Sequence, residues 1–420
     1  MADPAPPPNA PKACLFHLGR HGGSPLAFRV LDSMDAPAGS AWDALVASAS
    51  PFLQRPYLRA VEGGLPPGEA MRYATFHEGG RLVGVACFQR TRFQGRPLGE
   101  RFQGGPVLSF LARNLRLAAR PLDFQVLVCG NPMAAGEHGF HFDPAIEPRR
   151  AVEALLAALD VARRELEGTG AIDGVLIKDL DAASHPYGES LDRHAFAGLR
   201  PEPAMALRLD PSWDSFEAYL GCLASKYRVK ARRAYAKSQA LRARDLGPED
   251  LLRFQDRWME LFDAVHRRAE NRLGRPTFAT FLNLRRTLGP EFILRGYFQE
   301  DALVGFLTGF VWEGVLEAHL VGLDYALNQE LSIYPRLLCD YLDLAIARGC
   351  RELHYGRTAS EIKSTLGAEP IEQVCYLRHR DCLPNQAARL IAPRLRPETG
   401  PLRRPFTQAW YGLHAQPALG

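Results

Sequence analysis

Long apolar runs are missing from this sequence. None approaches the roughly 18 residues that a membrane-crossing helix requires, so a spanning segment is excluded. Paired cysteines are missing too. Cys14, Cys87, Cys129, Cys222, Cys339, Cys350, Cys375 and Cys382 are scattered, and no C-x-x-C pair occurs. Only Cys375 and Cys382 stand near each other, and no histidine cluster completes a metal site, so zinc binding and a disulfide framework are not expected. The thiols read as reduced core residues of a cytoplasmic protein. There is no G-x-x-x-x-G-K-S/T loop, no G-x-S-x-G elbow and no H-E-x-x-H motif. These absences argue against a P-loop NTPase, a serine hydrolase of the elbow type and a zinc peptidase. The segment Met1–Lys12 is rich in proline and alanine and lacks a basic stretch followed by an apolar one. It reads as part of a disordered tail over 1–24 rather than a signal peptide.

What is present is a globular composition. The chain has 420 residues, 46% hydrophobic and 23% charged, which suits two ordinary domains with cores of their own. The net charge of +4 is small but unevenly placed. Eight basic residues and no acid lie between Lys226 and Arg244, and seven arginines face only Asp381 and Glu398 between Arg378 and Arg404. Such runs meet an anionic partner or stay solvated.

The organisation shows in an internal echo. Residues 76–84 read Phe-His-Glu-Gly-Gly-Arg-Leu-Val-Gly, and residues 298–305 read Phe-Gln-Glu-Asp-Ala-Leu-Val-Gly. Each has the pattern of a strand, a tight polar turn and a second strand. Downstream, each is followed by a helical period, at 149–168 and 333–348, and then a strand, at 174–178 and 351–355. The repeated order implies duplicated α/β units. The expected division is a domain over 25–205, a second over 206–383 and a basic, Pro-rich tail over 384–420. A boundary near 200–212 is marked by Pro201, Pro203 and Pro211. Ser212 or Asp214 could cap a long helix over 213–240 with Phe216, Tyr219, Leu220, Leu223 and Tyr227 as its apolar stripe. Further helices are expected at 248–269, 277–288 and 385–391.

Candidate chemistry gathers in the second unit. In the strand Val315–Gly322, alternation puts Glu317 and His319 on one face. A carboxylate beside an imidazole in a mostly apolar sheet is a plausible general-base pair, tuned by burial and mutual charge. Next comes a polar loop entering a helix, with Asp324, Ser332, Tyr334 and Arg336, whose first-turn N–H groups can receive a phosphate. A phenol at Tyr334 can protonate a leaving thiolate. A second strand end supplies Tyr355, Arg357 and Lys363, the last two as anion binders. The basic helix adds Lys226, Arg228 and Arg232.

The blocks Ser225-Lys-Tyr-Arg-Val-Lys-Ala-Arg-Arg, Val321-Gly-Leu-Asp and Gly356-Arg-Thr-Ala-Ser-Glu-Ile-Lys-Ser-Thr-Leu-Gly-Ala, in this order, resemble the FemAB-like and BioF2-like acyltransferases. The resemblance runs mainly over residues 205–380. It implies an α/β fold of two tandem GNAT-like domains, each a mixed, mostly antiparallel sheet flanked by helices, with catalysis in the second. It implies acyl transfer to an amine without a metal. His319 or Glu317 would be the base and Tyr334 the acid. Asp324, Ser332, Arg336, Tyr355, Arg357, Lys363, Lys226, Arg228 and Arg232 would hold donor or substrate. Some members use acyl-CoA, among them bacterial ceramide synthases that acylate sphingoid bases. Others take amino acids from tRNA for peptidoglycan precursors. A catalytically silent tandem protein that binds an anionic partner is the third reading. The tail from Arg389 to Arg396, with Phe406, Trp410 and Tyr411, suits peripheral contact with an anionic membrane. A monomer or dimer is expected. Where an acyl-CoA cofactor-loop Q/R-x-x-G-x-G/A is usual, this chain has Asn328-Gln-Glu-Leu-Ser.

Overall fold

The computed structural model describes residues 26–35, 39–95, 122–168, 170–395 and 400–414. The expected tail over 1–24 and Arg396 lie outside the described residues.

Both halves build a sheet around one parallel strand pair. The strands of the first half are β1 (Ala27–Leu31), β2 (Ala70–Glu78), β3 (Arg81–Gly95), β4 (Leu122–Cys129), β5 (Phe140–Phe142), β6 (Gly174–Leu180), β7 (Ala197–Leu199) and β8 (Ala204–Arg208). Those of the second are β9 (Leu241–Asp245), β10 (Asn271–Leu273), β11 (Phe292–Gln299), β12 (Ala302–Trp312), β13 (Val315–Leu323), β14 (Glu352–Gly356), β15 (Glu369–Ile371) and β16 (Val374–His379). The first sheet runs β1-β2-β3-β4-β6-β16-β7, and the second β15-β8-β14-β13-β12-β11-β9. Read outward from the parallel pairs β4/β6 and β13/β14, the two sheets have the same plan. In each, a helix joins the parallel strands: Pro148–Glu167 in the first and Ile333–Ala347 in the second. Pro148 starts the former, where a missing N–H is harmless. Its Ala151, Leu155, Leu159, Ala162 and Leu166 recur at helical spacing and are buried.

The echoed segments are the hairpins β2–β3 and β11–β12, both antiparallel. Gly79 and Gly80 turn the first at φ 56° and 82°, values that disfavour side chains.

The two sheets also exchange strands. β8 follows β7 in the chain, yet it inserts between β14 and β15. β16 follows β15, yet it inserts between β6 and β7. In addition, β10 pairs with β3. No cut at 205 or 383 therefore leaves two self-contained sheets. A shared apolar cluster joins the halves, with Phe52, Tyr57 and Tyr73 packing among Trp258, Phe281, Phe306 and Phe310. Trp258 stacks on Phe306 with ring centres 3.6 Å apart.

Three expectations need correction. The single helix over 213–240 is two, Phe216–Cys222 and Ser225–Lys237. The break at Leu223–Ala224 exists because the C-terminal segment docks there. Leu223 bridges Phe406, and the Ala224 N–H donates to the Pro405 carbonyl at 2.8 Å. The cap of the first helix is Ser215, whose Oγ accepts from the Ala218 N–H at 3.2 Å. The helix over 248–269 is likewise two, Pro248–Arg253 and Gln255–His266. Finally, Phe406 and Trp410 do not face a membrane. They are 6% and 8% exposed and stack at 4.0 Å in the core beside Trp213 and Tyr219. Arg403 bonds Glu361, and Arg404 lies over the Tyr411 ring.

Candidate active site

The site begins where the second parallel pair stops pairing. β13 and β14 hold register only over Val315–Glu317 against Glu352–His354. β13 continues to Leu323 alongside β12. From Ala318 onward, its edge towards β14 has no strand partner among the described residues. A cavity of about 270 Å³ fills the gap. One side is walled by Tyr334, Leu338 and Tyr341 of the Ile333–Ala347 helix, with Tyr355 and Lys363. The other is walled by Phe262, Val265, Leu273 and Pro276, with Pro132 and Met133 from the first half. Ala318, His319, Leu320 and Val321 form the floor between them, so the cavity reaches through the plane of the sheet.

A bulge in β13 shapes that floor. Leu307 faces Val321 and Gly309 faces Ala318, so His319 and Leu320 together oppose Thr308. The Thr308 hydroxyl takes over for the missing ladder partner. It accepts from the Leu320 N–H at 2.9 Å and donates to the Leu320 carbonyl at 3.0 Å.

Glu317 and His319 do share a face, but they do not pair with each other. Glu317 bonds His354 Nδ1 at 2.7 Å, and Glu352 bonds His354 Nε2 at 3.1 Å. Burial opposes charge on His354, but Glu317 and then Glu352 outweigh it and raise its pKa to about 10. His354 is thus an imidazolium with a carboxylate on each nitrogen, and Glu317 is engaged in that clamp. Sequence spacing within β13 gave no hint of this partner, because His354 arrives from the neighbouring strand. His319 sits instead among the rings of Phe52, Phe292 and Phe310, the last at 5.1 Å. Burial pulls its pKa down to about 3, not towards neutrality as mutual pairing would have done. Its Nδ1 lies 3.4 Å from Thr308 Oγ1, and its Nε2 is buried with no partner among the described residues.

Tyr334 lines the cleft, and burial pushes its phenol well above the usual value, so it is protonated at neutral pH. Its N–H is held by the Asn328 side chain at 2.8 Å. Tyr355 also lines the cleft, with its hydroxyl committed to the Leu338 carbonyl at 2.9 Å.

The expected anion binders both line the cavity, with protein partners of their own. Arg357 donates to both carboxylate oxygens of the fully buried Asp179 in β6, at 2.8 and 2.6 Å, and to the Glu202 carbonyl and Gln373 Oε1. Lys363 donates to the carbonyls of Tyr355, Gly356 and Arg357 at 2.9, 3.1 and 2.6 Å, a full set for an ammonium. Arg357 ties the halves together and Lys363 shapes the loop after β14, while both also line the cavity, where burial lowers the Lys363 pKa to about 7. Asp324 caps the Tyr325–Leu331 helix and pairs with Arg257 at 2.6 Å. Ser332 takes a left-handed conformation at φ 49°, turning that helix into the next. Arg336 pairs with the buried Asp340 at 2.7 Å and lies over Tyr235. On the Ser225–Lys237 helix, Arg232 pairs with Glu217 at 2.8 Å, while Lys226, Lys230, Arg233 and Lys237 are exposed at a spacing that puts them on one face. Arg228 is half-buried on the same helix. Lys237 reaches the Gln329 carbonyl, so this face ends beside the cleft-side helices. Among the described residues no cluster suited to a metal ion occurs.

Residues 225–364 match the acetyltransferase (GNAT) domain family. They span β9 to β14 and therefore contain the parted strands, agreeing with the resemblance drawn from the sequence blocks. No curated protein matches the chain. Similar solved structures include a tandem GNAT protein from the clavulanic acid biosynthesis pathway, at 13% identity and a TM-score of 0.46 over 85% of this chain and 99% of that one. N-myristoyltransferase of Saccharomyces cerevisiae with bound myristoyl-CoA is similar at 11% identity and a TM-score of 0.47, over 90% and 84%. FemX is similar at 13% and 0.44, over 77% and 91%.

Proposed function

We propose that this chain, whose residues 225–364 match the GNAT acetyltransferase domain family, is an N-acyltransferase that moves an acyl group from a thioester donor, acyl-CoA, to an amine. The observation that supports this most is the cavity passing through the parted strands with His319 on its floor and Tyr334 on its wall. Such a passage lets donor and acceptor meet from opposite faces of one sheet, which fixes attack geometry without a covalent enzyme intermediate. The thioester arm lies along the unpaired edge of β13, on the side of the Ile333–Ala347 helix. The unpaired edge supplies N–H donors to the tetrahedral oxyanion. The amine enters from the side of Phe262, Val265, Leu273, Pro132 and Met133. His319 takes the proton of the attacking amine, and Tyr334 protonates the departing thiolate.

The apolar walls on the acceptor side support an amine carried on an apolar body, with a sphingoid-type lipid amine as the finer assignment. For such a substrate, peripheral contact with an anionic membrane is part of the same proposal. The feature suited to it is the Cys382–Ile391 helix, where Leu383 and Leu390 are 80% and 64% exposed near Arg389 and Arg394.

An aminoacyl-tRNA donor is the second reading. It is favoured by the exposed row Lys226, Lys230, Arg233 and Lys237, about 16 Å long at the helical rise, which suits a phosphate backbone. Incubation with acyl-CoA or aminoacyl-tRNA against a panel of amines, following free thiol and product mass, separates the two. Thiol release with an N-acylated lipid amine supports the first. Turnover with aminoacyl-tRNA alone replaces it with the second. No turnover with any donor removes both and leaves a binding protein.

A further inference from the structure

The acceptor wall carries a histidine that the sequence did not single out. His266 ends the Gln255–His266 helix, is half-buried and lines the cavity. Its ring lies 5.4 Å from that of Phe262, another cavity residue. Its Nε2 is 3.2 Å from the Gly274 carbonyl. A carbonyl only accepts, so Nε2 carries a hydrogen. Burial, foremost, lowers the pKa of the ring below its usual 6.5; Asp263 opposes this, and Arg272, Arg275 and Arg267 reinforce it. The imidazole is therefore neutral at pH 7, and Nδ1 keeps a lone pair. Nδ1 has no partner among the described residues and, unlike His319 Nε2, retains accessible surface. The charges around it are of one sign. Arg272, Arg357 and Lys363 line the cavity, and no carboxylate does among the described residues. Asp263, the acid that acts on His266, is held by Arg275 at 2.9 and 2.8 Å. An ammonium entering on this side meets no free counter-ion, and the same arginines push it towards its neutral form.

We propose that His266 is a catalytic residue of the acceptor side, whose Nδ1 receives the first of the two protons that an entering ammonium gives up. This rests on the acyl-transfer reading above. Only a neutral amine has an electron pair to attack with. In water at pH 7 an alkylamine with a pKa like that of lysine, about 10.4, is neutral to only on the order of one part in a few thousand. At His266 the ammonium N–H bonds to Nδ1, the proton passes to the ring, and the nitrogen keeps the pair. The imidazolium gives that proton to water and returns to its neutral form. The freed pair then makes the C–N bond to the thioester carbon, and the second N–H proton and the C–S bond follow the steps given above. Ammonium and thioester thus become amide, thiol and one proton in water, with no other reagent.

The test has two arms. The first is the pH profile of kcat/KM for the amine, with the amine and acyl-CoA that turn over. In the wild type it should be level between about pH 7 and about pH 9, because the ammonium is used directly. His266→Gln keeps a donor for the Gly274 carbonyl but not the base. It should lower kcat/KM roughly a hundredfold at pH 7 and rise about tenfold per pH unit over the same range, as free amine forms in bulk water. The donor KM should not change. A wild-type profile that already rises about tenfold per unit overturns the proposal, as does a level one in a folded His266→Gln protein. The second arm is the nitrogen-15 spectrum of histidine-labelled protein at pH 7, with His266 assigned by the signal lost in His266→Gln. Nδ1 should be pyridine-like, and saturating dodecylamine without donor should move its signal. A pyrrole-like Nδ1, or a signal that does not move, overturns the proposal. If no donor and amine pair reacts, the acyl-transfer reading falls, and the spectrum still decides whether His266 receives an amine. Should His266→Gln fail to fold, His266→Asn assigns the signal and the wild-type profile decides.

Discussion

The two parallel strand pairs sit at equivalent places in sheets of one plan, yet one is open and the other is plugged. β13 outruns its pairing with β14 by six residues, from Ala318 to Leu323, and a cavity occupies the gap. β4 ends where its pairing with β6 ends, at Cys129 against Ile177. Beyond that point the first sheet holds Lys178, Asp179, Cys375 and the incoming Arg357, bonded to one another and to the Ala134 carbonyl. The same architecture thus holds a cavity in one half and a cross-link in the other. What separates them is strand length past the fork and the polarity of a few side chains, and neither is a property of the fold itself.

The plug is the most sensitive part of this contrast. Asp179→Asn leaves Lys178 and Arg357 buried without their carboxylate, and should lower unfolding free energy by about 3–5 kcal/mol. Denaturant midpoints measure it, and an unchanged midpoint would make the ion cluster incidental. On the open side, His319→Ala should cost about a hundredfold or more in turnover with the fold intact, the scale of losing a general base. Near-normal turnover would remove His319 from the chemistry. Tyr334→Phe should be milder, on the order of tenfold in kcat, because a thiolate leaves with less help than an alkoxide. The smallest effect concerns the clamp beneath the cleft. The folded pKa of His354 is raised above the unfolded value of about 6.5. Its contribution to stability is therefore fully present below pH ~6.5 and is lost as pH rises through about 10. Unfolding free energy in Glu317→Gln should depend less on pH across that window, and an identical pH profile would separate Glu317 from His354.

Much of this was legible in the chain. The echoed hairpins, the crossover helices and the strands carrying His319 and Tyr355 follow from local periodicity, which a residue's own neighbours determine. Strand exchange did not show, because the pairing of β16 with β6 joins residues about 200 apart and neither strand has a special pattern. The protein partners of Arg357 and Lys363 were hidden for a similar reason. A basic residue at a strand end gives no sign of whether Asp179 or three carbonyls will claim it. Glu317 and His319 were placed on the right face, but their partners came from other strands. The tail aromatics Phe406 and Trp410 were misjudged because proline and arginine around them mask a docked segment.

The central claim, that reaction space lies in the open fork of the second sheet alone, is tested most directly by hydrogen exchange with a non-hydrolysable acyl-CoA analogue. Bound donor should slow exchange at Ala318–Leu323 and at the start of the Ile333–Ala347 helix, and leave Val126–Gly130 unchanged. Protection at Val126–Gly130 without any at Ala318–Leu323 would contradict the account.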